Sequence, residues 1–524
     1  MTLRSTLGFF SALCLASLSG TAQDKTALAG SENPVDRILQ AKWKELKIKP
    51  NARSNDAEFL RRASLDLVGT IPEPDEVGEF VSRKDSRKRE KKIDELIASE
   101  RFAEYWAERL TSVLAGYRDN QYPTLAPLKQ WLTEKLKSGV PYNDIVTQLI
   151  TAAGSNKNES STAFVLQHLA KDRSKRVLTV QVAKVFLGIQ LQCAQCHNHP
   201  FEPWTQADFN SMVSFFGETN IRVIERMENI RNSEVEVVDV PARGRRAIGK
   251  PKFIDGTTVD ARGARESLAR MITSSENLQF ARATVNRFWA EMTGRGFVEP
   301  IDDFSSKNVP AHPDLLDALA RGFVESNFSL QWLIRTIAGS EAYQLSSKRK
   351  PRQWEDEDAA KANYAFQIVR PMSPEQSLRV LITAQGLDRI QAPAAGRGPD
   401  ADLREKLRQG FLRSMVLTSA AENQVSPSEY SASMQQVMNL LNVNAPFYRG
   451  LQARGLGRLA QILRQVRKPE EVIGQLYLST VSRPPSQEEL AACLKAYAEY
   501  GKNDQAFEKI FFVLLNTNEF FFNH

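Results

Sequence analysis

Residues 178–200 read LTVQVAKVFLGIQLQCAQCHNHP, and the spacing of their apolar side chains decides between helix and strand. Leu178, Val182, Val185 and Ile189 follow steps of four, three and four, which is one face of a helix and not the alternation of a half-buried strand. Continuing those steps carries Cys193 and Cys196 onto the same stripe, with His197 four residues past Cys193, so the spacing predicts thiols turned toward apolar surroundings. Pro200 is expected to end the helix and leave His199 extended. Thr205-x-x-Asp208 then reads as a capping box for a second helix with Phe209, Met212, Val213 and Phe216 on one face. Together the two helices are expected to wall a pocket.

The helical period extends in both directions from this stretch, and strand-like alternation is scarce. Asn33-Pro34 reads as a cap and first helical residue of a helix turning Ile38, Leu39, Trp43 and Leu46 inward. The next helix takes Asp56 as its cap and stops at Gly69 and Pro72. Further helices run to about residue 155, anchored by Trp106, Trp131 and Tyr142. Glu218 to Asp260 breaks the pattern: SEVEVVDVPARGRRAIGKPKFIDG is β-branched and rich in Pro, Gly and basic residues, and is expected to be a linker or an inserted β-hairpin. The reading is a mainly α chain of two helical domains, 33–217 and 265–523, joined by a partly β linker or insertion over 218–264. Two polar stretches, 346–361 and 391–402, are expected to be exposed loops.

At 524 residues, with 42% hydrophobic and 25% charged residues, the chain has the composition of a globular protein able to bury full cores. Its first 22 residues, MTLRSTLGFFSALCLASLSGTA, place one Arg before an apolar run and end in small residues, the layout of a secretory signal peptide (1–22) cut near Ala22 or Gln23. Leu13 stands where lipoprotein processing at Cys14 requires a small residue. Maturation would leave Cys193, Cys196 and Cys493 in an oxidising compartment, with Cys493 read as a small buried apolar residue. No transmembrane segment is expected after signal cleavage, so the localisation expected is exported, periplasmic or cell envelope. The net charge of +7 comes from mixed signs, and runs such as SRKDSRKREKK (82–92) read as solvated helix faces. No nucleic-acid partner is expected.

With four Cys and five His in the chain, chance yields a Cys-x-x-Cys-His run roughly once in several thousand such sequences. In an exported chain that spacing is the covalent attachment signature of c-type haem: two thiols join the vinyl groups and the adjacent imidazole ligates iron. Cys193 and Cys196 are the candidate thioether residues and His197 the candidate iron ligand, for one haem c. A local disulfide between Cys193 and Cys196 is also allowed by the compartment, although it gives His197 no role. A zinc clip of Cys193, Cys196, His197 and His199 has suitable ligand types crowded into seven residues. For the other face of the iron the candidates are His168, Met212 and Met227, or an open position; His199 is expected to hydrogen-bond at the helix end. Asn286, Arg287 and Trp289 form a further cluster, read either as a cap with buried ion pairs or as a partner for haem propionates. Asp302 and Asp303, being adjacent, are expected to point different ways, a poor start for acid-base hydrolysis. His312 reads as a hydrogen-bonding cap before Pro313.

The stretches DAEFLRRASLDLVGTIPEP (56–74), VAKVFLGIQLQCAQCHNHPFEPWTQADFNSMVSFFG (182–217), ARATVNRFWAEMTGRGFVEPIDDFSSKNVPAHPDLLDALA (281–320), LYLSTVSRPPSQEEL (476–490) and VLLNTNEFFFNH (513–524) resemble a paired-domain family abundant in Planctomycetes. Its halves are the second planctomycete cytochrome-type domain and planctomycete-specific domain one, both of unknown function. The resemblance implies the Cys193, Cys196, His197 haem motif; no enzymatic activity comes with the family, and whether the chain is an enzyme is left open. Many relatives also resemble chains with an extra N-terminal cytochrome-type domain; here the signal peptide is followed directly by Asn33, so at most one haem per chain is expected. The expected role is periplasmic electron transfer, or a haem-dependent redox component beside exported redox or other cell-envelope proteins. The alternative is a non-haem interaction or scaffold protein with a Cys193–Cys196 disulfide.

Overall fold

Helices fill most of the chain, a computed structural model in which residues 33–115, 125–169, 174–225, 233–240, 249–350, 353–387 and 451–524 are described. The fold is mainly α, with small sheets. The signal sequence, Met227 and the 391–402 stretch lie outside the described residues.

The first helix, Pro34–Glu45, starts as its sequence dictates: the Asn33 side chain accepts the Val35 N–H and proline occupies the first turn. It buries Val35, Leu39 and Trp43, whereas Leu46 lies past the helix end and is exposed. The second, Asp56–Val68, is capped by the Asn55 side chain bonding the Glu58 N–H, and Asp56 is its first residue instead of its cap. Gly69 ends it in the left-handed region at φ 70°. Trp106 and Tyr142 are buried as expected, while Trp131 packs partly buried against the core.

The break after Glu218 is a β insertion. Strands Thr219–Glu225 and Glu234–Asp239 pair antiparallel, with an irregularity between Val223 and Glu225, and the short strand Gly154–Ser155 joins the other edge of the second strand. Val235 and Val237 are buried in the main core. In 346–361, expected as an exposed loop, Ser346 and Ser347 are buried, Trp354 stacks on Phe366 at 5.0 Å, and Asp356 caps the short helix Glu357–Ala362. Cys493 is only half-buried, with its Sγ 3.9 Å from the Tyr477 hydroxyl. No helix among the described residues is long and apolar enough to cross a membrane.

One hydrophobic core draws side chains from Val35 through Phe366, and a second joins Met372–Phe520 to Leu65 and Ile71. The helix Asp56–Val68 serves both, because Phe59, Leu60, Ala63 and Leu67 face the first while Leu65 faces the second. Polar groups run through this junction. Arg61 donates to the carbonyls of Thr480, Glu519 and Phe520 at 2.8–3.1 Å, and burial lowers its guanidinium to about 10. Arg62 donates to the carbonyls of Tyr343, Leu345 and His524 and to the Glu58 carboxylate. Asp66 accepts from the Tyr343 hydroxyl (2.8 Å), the Asn523 amide (2.6 Å) and the Arg370 guanidinium. Burial raises the Asp66 carboxyl despite these donors. The terminal strand Phe522–Asn523 pairs with Arg370–Pro371 at the same place.

Candidate functional site

The stripe Leu178, Val182, Val185 and Ile189 is buried, as its spacing predicts. The helix carrying it does not reach the cysteines. Lys175–Val182 is α-helical, Ala183–Leu187 forms a single π turn, and Gly188 stops it at φ 65°, with the Ile189 N–H bonded back to the Ala183 carbonyl at 3.1 Å. Glycine is required there twice over: the left-handed backbone favours it, and a Cβ would lie 2.7 Å from the Phe304 ring. The expectation that the thiols continue the buried stripe is therefore corrected.

Cys193 and Cys196 instead lie on and beside one 3₁₀ turn, Gln192–Gln195. Leu191 and Ala194 are its buried anchors, while Cys193, Cys196 and His197 are exposed and both thiols are free. The two histidines that follow adopt opposite roles. His197 Nδ1 lies 2.7 Å from the Asn198 carbonyl, which can only accept, so Nδ1 carries the proton and the Nε2 lone pair is left outward. His199 Nδ1 accepts the N–H groups of Phe201 (3.2 Å) and Glu202 (3.0 Å), and the His199 N–H donates to the Trp204 carbonyl at 2.8 Å. His199 is thus built into a turn; its hydrogen-bonding role holds, but in the loop and not at a helix end.

The Thr205–Asp208 capping box forms and starts the helix Gln206–Val213. Gln206 reaches back to the motif, its Nε2 donating to the carbonyls of Gln195 (3.3 Å) and Cys196 (3.2 Å) and its N–H to Asn198 Oδ1. A hydrogen bond from Lys252, joined by Thr205, holds the Asp208 carboxyl at about 2. Phe209, Met212, Val213 and Phe216 are all buried in the packed core, so they stabilise the helix and do not line a pocket open to the thiols.

A loop of the second half of the chain, the one after the helix Leu278–Thr293, packs against the motif. Asn286 organises it, donating to the carbonyls of Val298 and Ile301 (both 3.1 Å) and accepting from the N–H groups of Phe297 (2.7 Å) and Val298 (3.0 Å). Arg287 pairs with Asp302, which Lys184 approaches to 3.6 Å, and Trp289 stacks on Phe297 at 4.7 Å. The buried ion pair of this cluster is present, while Asn286 ties down the following loop instead of capping the helix, which ends at Gly294. Beyond it, Phe304 donates its N–H to the Gly188 carbonyl at 2.8 Å. Glu202 Oε1 accepts from the Ser306 N–H (2.9 Å) and hydroxyl (2.6 Å), and the Lys307 ammonium sits 3.0 Å from the Phe201 ring centroid. Asp303 turns away from Asp302 to accept from Asn308 at 2.7 Å, and burial raises its carboxyl, opposed by that bond. The pair does point different ways. No periodicity or motif signals Glu202, Phe304 or Ser306, because their contacts span about a hundred residues.

The remaining candidates are otherwise engaged. His168 is buried with Nε2 2.7 Å from the Leu114 carbonyl, and burial lowers it to about 4. Met212 is buried in the core. His312 precedes the helix Pro313–Glu325 without bonding its end; its Nε2 meets the Ala362 carbonyl at 3.2 Å. Among the described residues no cluster of three or more His, Cys, Asp or Glu side chains is arranged to hold a metal ion.

Residues 34–221 match a family model, PSCyt2, described as a protein of unknown function (DUF1549). Residues 264–497 match a second, PSD1, described as a protein of unknown function (DUF1553). No curated protein and no solved structure matches the chain.

Proposed function

The chain belongs to the PSCyt2–PSD1 paired-domain family, and from that premise we propose that it is an exported c-type haem protein of the cell envelope, serving electron transfer or a haem-dependent redox step. The donor set fits the group. Cys193 and Cys196 present free, exposed thiols three residues apart, and each would add across a porphyrin vinyl to form a thioether. His197 would ligate iron through Nε2. The observation that carries the reading is its Nδ1–H bond to the Asn198 carbonyl, the outer hydrogen bond that fixes ring orientation and raises the basicity of a ligating imidazole. When bound, the haem supplies reversible one-electron exchange. The chain's contribution is to hold the imidazole through Asn198, and Asn198 through Gln206.

Expression in a host with a cytochrome c maturation system tests this. The expected product is red, has a reduced c-type spectrum and a mass raised by one haem, and loses all three when Cys193 and Cys196 are replaced by alanine. A colourless chain of unmodified mass, or one lighter by two hydrogens, overturns the proposal; the latter supports the local disulfide instead.

A further inference from the structure

The motif loop is bracketed on both sides by one short piece of the second half of the chain. Five residues before Cys193, Gly188 gives its carbonyl to the Phe304 N–H and lies under the Phe304 ring. Five residues after His197, Glu202 receives both the N–H and the hydroxyl of Ser306. Phe304 and Ser306 are two residues apart, so a single loop fixes the spacing between the two ends of the motif. Gln279 reinforces the first end by donating to the Leu187 carbonyl at 2.7 Å.

We propose that the site is composite, with the 301–307 loop of the PSD1 segment as a working part of it and Glu202 as its positioning residue. The route from that residue to His197 is continuous. The Glu202 N–H closes onto His199 Nδ1, the His199 N–H closes onto the Trp204 carbonyl, and the Asn198 carbonyl that holds His197 Nδ1 belongs to the peptide of that same His199 N–H. Holding Glu202 therefore holds the peptide plane that aims the imidazole. Without the 301–307 loop, the ties that remain among the described residues are the internal bonds of the turn, those from Gln206 and the one from Arg176 to the Gln195 carbonyl. The consequence for iron ligation rests on the haem reading; the mechanical claim does not.

The test compares Glu202→Ala with Glu202→Gln in the full chain, since glutamine keeps an oxygen able to accept both Ser306 donors. Millisecond hydrogen exchange of the 198–204 segment is the first readout. Loss of two bonds to a carboxylate is expected to speed exchange in Glu202→Ala roughly tenfold, with Glu202→Gln close to the parent and Ser306→Ala between them. Unchanged exchange in Glu202→Ala, or equal acceleration in both Glu202 variants, overturns the inference. Where haem attaches, the spin state of the ferric spectrum is the second readout: Glu202→Ala is expected to show a mixed population that Glu202→Gln restores. A parent chain that takes no haem defeats the proposed function, while the exchange comparison still decides whether the loop is held in this way.

Discussion

Two polar regions of the molecule are built on opposite plans. Around the helix Asp56–Val68, Arg61, Arg62 and Asp66 are buried, and each is met by several carbonyls, carboxylates or donors from distant parts of the chain. Around Cys193 and His197 the polar atoms are exposed, and turns with a few neighbours hold them. In the first region a charge is costly to desolvate, and several partners meet each one. In the second, water satisfies whatever the chain does not, which leaves thiols and an imidazole lone pair available for chemistry. Stability and reactivity are thus assigned to different places.

The sharpest way to break this contrast is Asp66→Ala. It removes the acceptor from Arg370, the Tyr343 hydroxyl and Asn523 within a dry junction, and is expected to cost about 3–5 kcal/mol, read as a lower urea midpoint. A loss near zero would show that the junction is hydrated. Gly188→Ala comes next, at about 1–3 kcal/mol, from a left-handed backbone and a collision with the Phe304 ring; a thermal melt measures it, and no change in Tm would show that the motif's entry is slack. Acid titration gives a smaller effect. Asp208 lies at about 2 in the folded chain against an ordinary 3.8, so its contribution is complete above pH 4 and is lost as pH falls toward 2. Asp208→Asn is expected to flatten that part of the acid-unfolding curve, and an unaltered curve would remove Asp208 from the account. Least of all, His197→Ala is expected to leave stability within about 0.5 kcal/mol of the parent by the same urea assay, since the side chain is exposed. A larger loss would mean that the motif loop belongs to the structural plan after all.

What the sequence discloses follows the range of the interaction. The Leu178 to Ile189 stripe, the Thr205–Asp208 box and the Gly69 stop are local, and each is present. The error over the cysteines is also instructive: the apolar period runs through Gly188 without interruption, while the left-handed backbone there and the Phe304 ring, packed from more than a hundred residues away, mark the place where the chain turns. The burial of Arg61 and Arg62 has no signal in FLRRASLDL because most of their acceptors are backbone carbonyls, which every residue carries and no residue type announces. The motif itself is plain in the sequence. Its exposure, the opposed tautomers of His197 and His199 and the grip of Ser306 on Glu202 are not, because each depends on where the backbone goes after Gly188.

The arginine junction also sets an order of events during biosynthesis. A ribosome delivers Arg61 and Arg62 more than four hundred residues before the carbonyls of Glu519, Phe520 and His524 that receive them. Until residues 480–520 arrive, Arg61 has none of the carbonyls that receive it, whereas Arg62 already has Glu58, Tyr343 and Leu345, so complete burial of this helix face ahead of that segment is disfavoured. Removal of residues 519–524 would take away the Glu519, Phe520 and His524 carbonyls and leave Arg61 with only that of Thr480, so such a chain is expected to be more open to proteolysis.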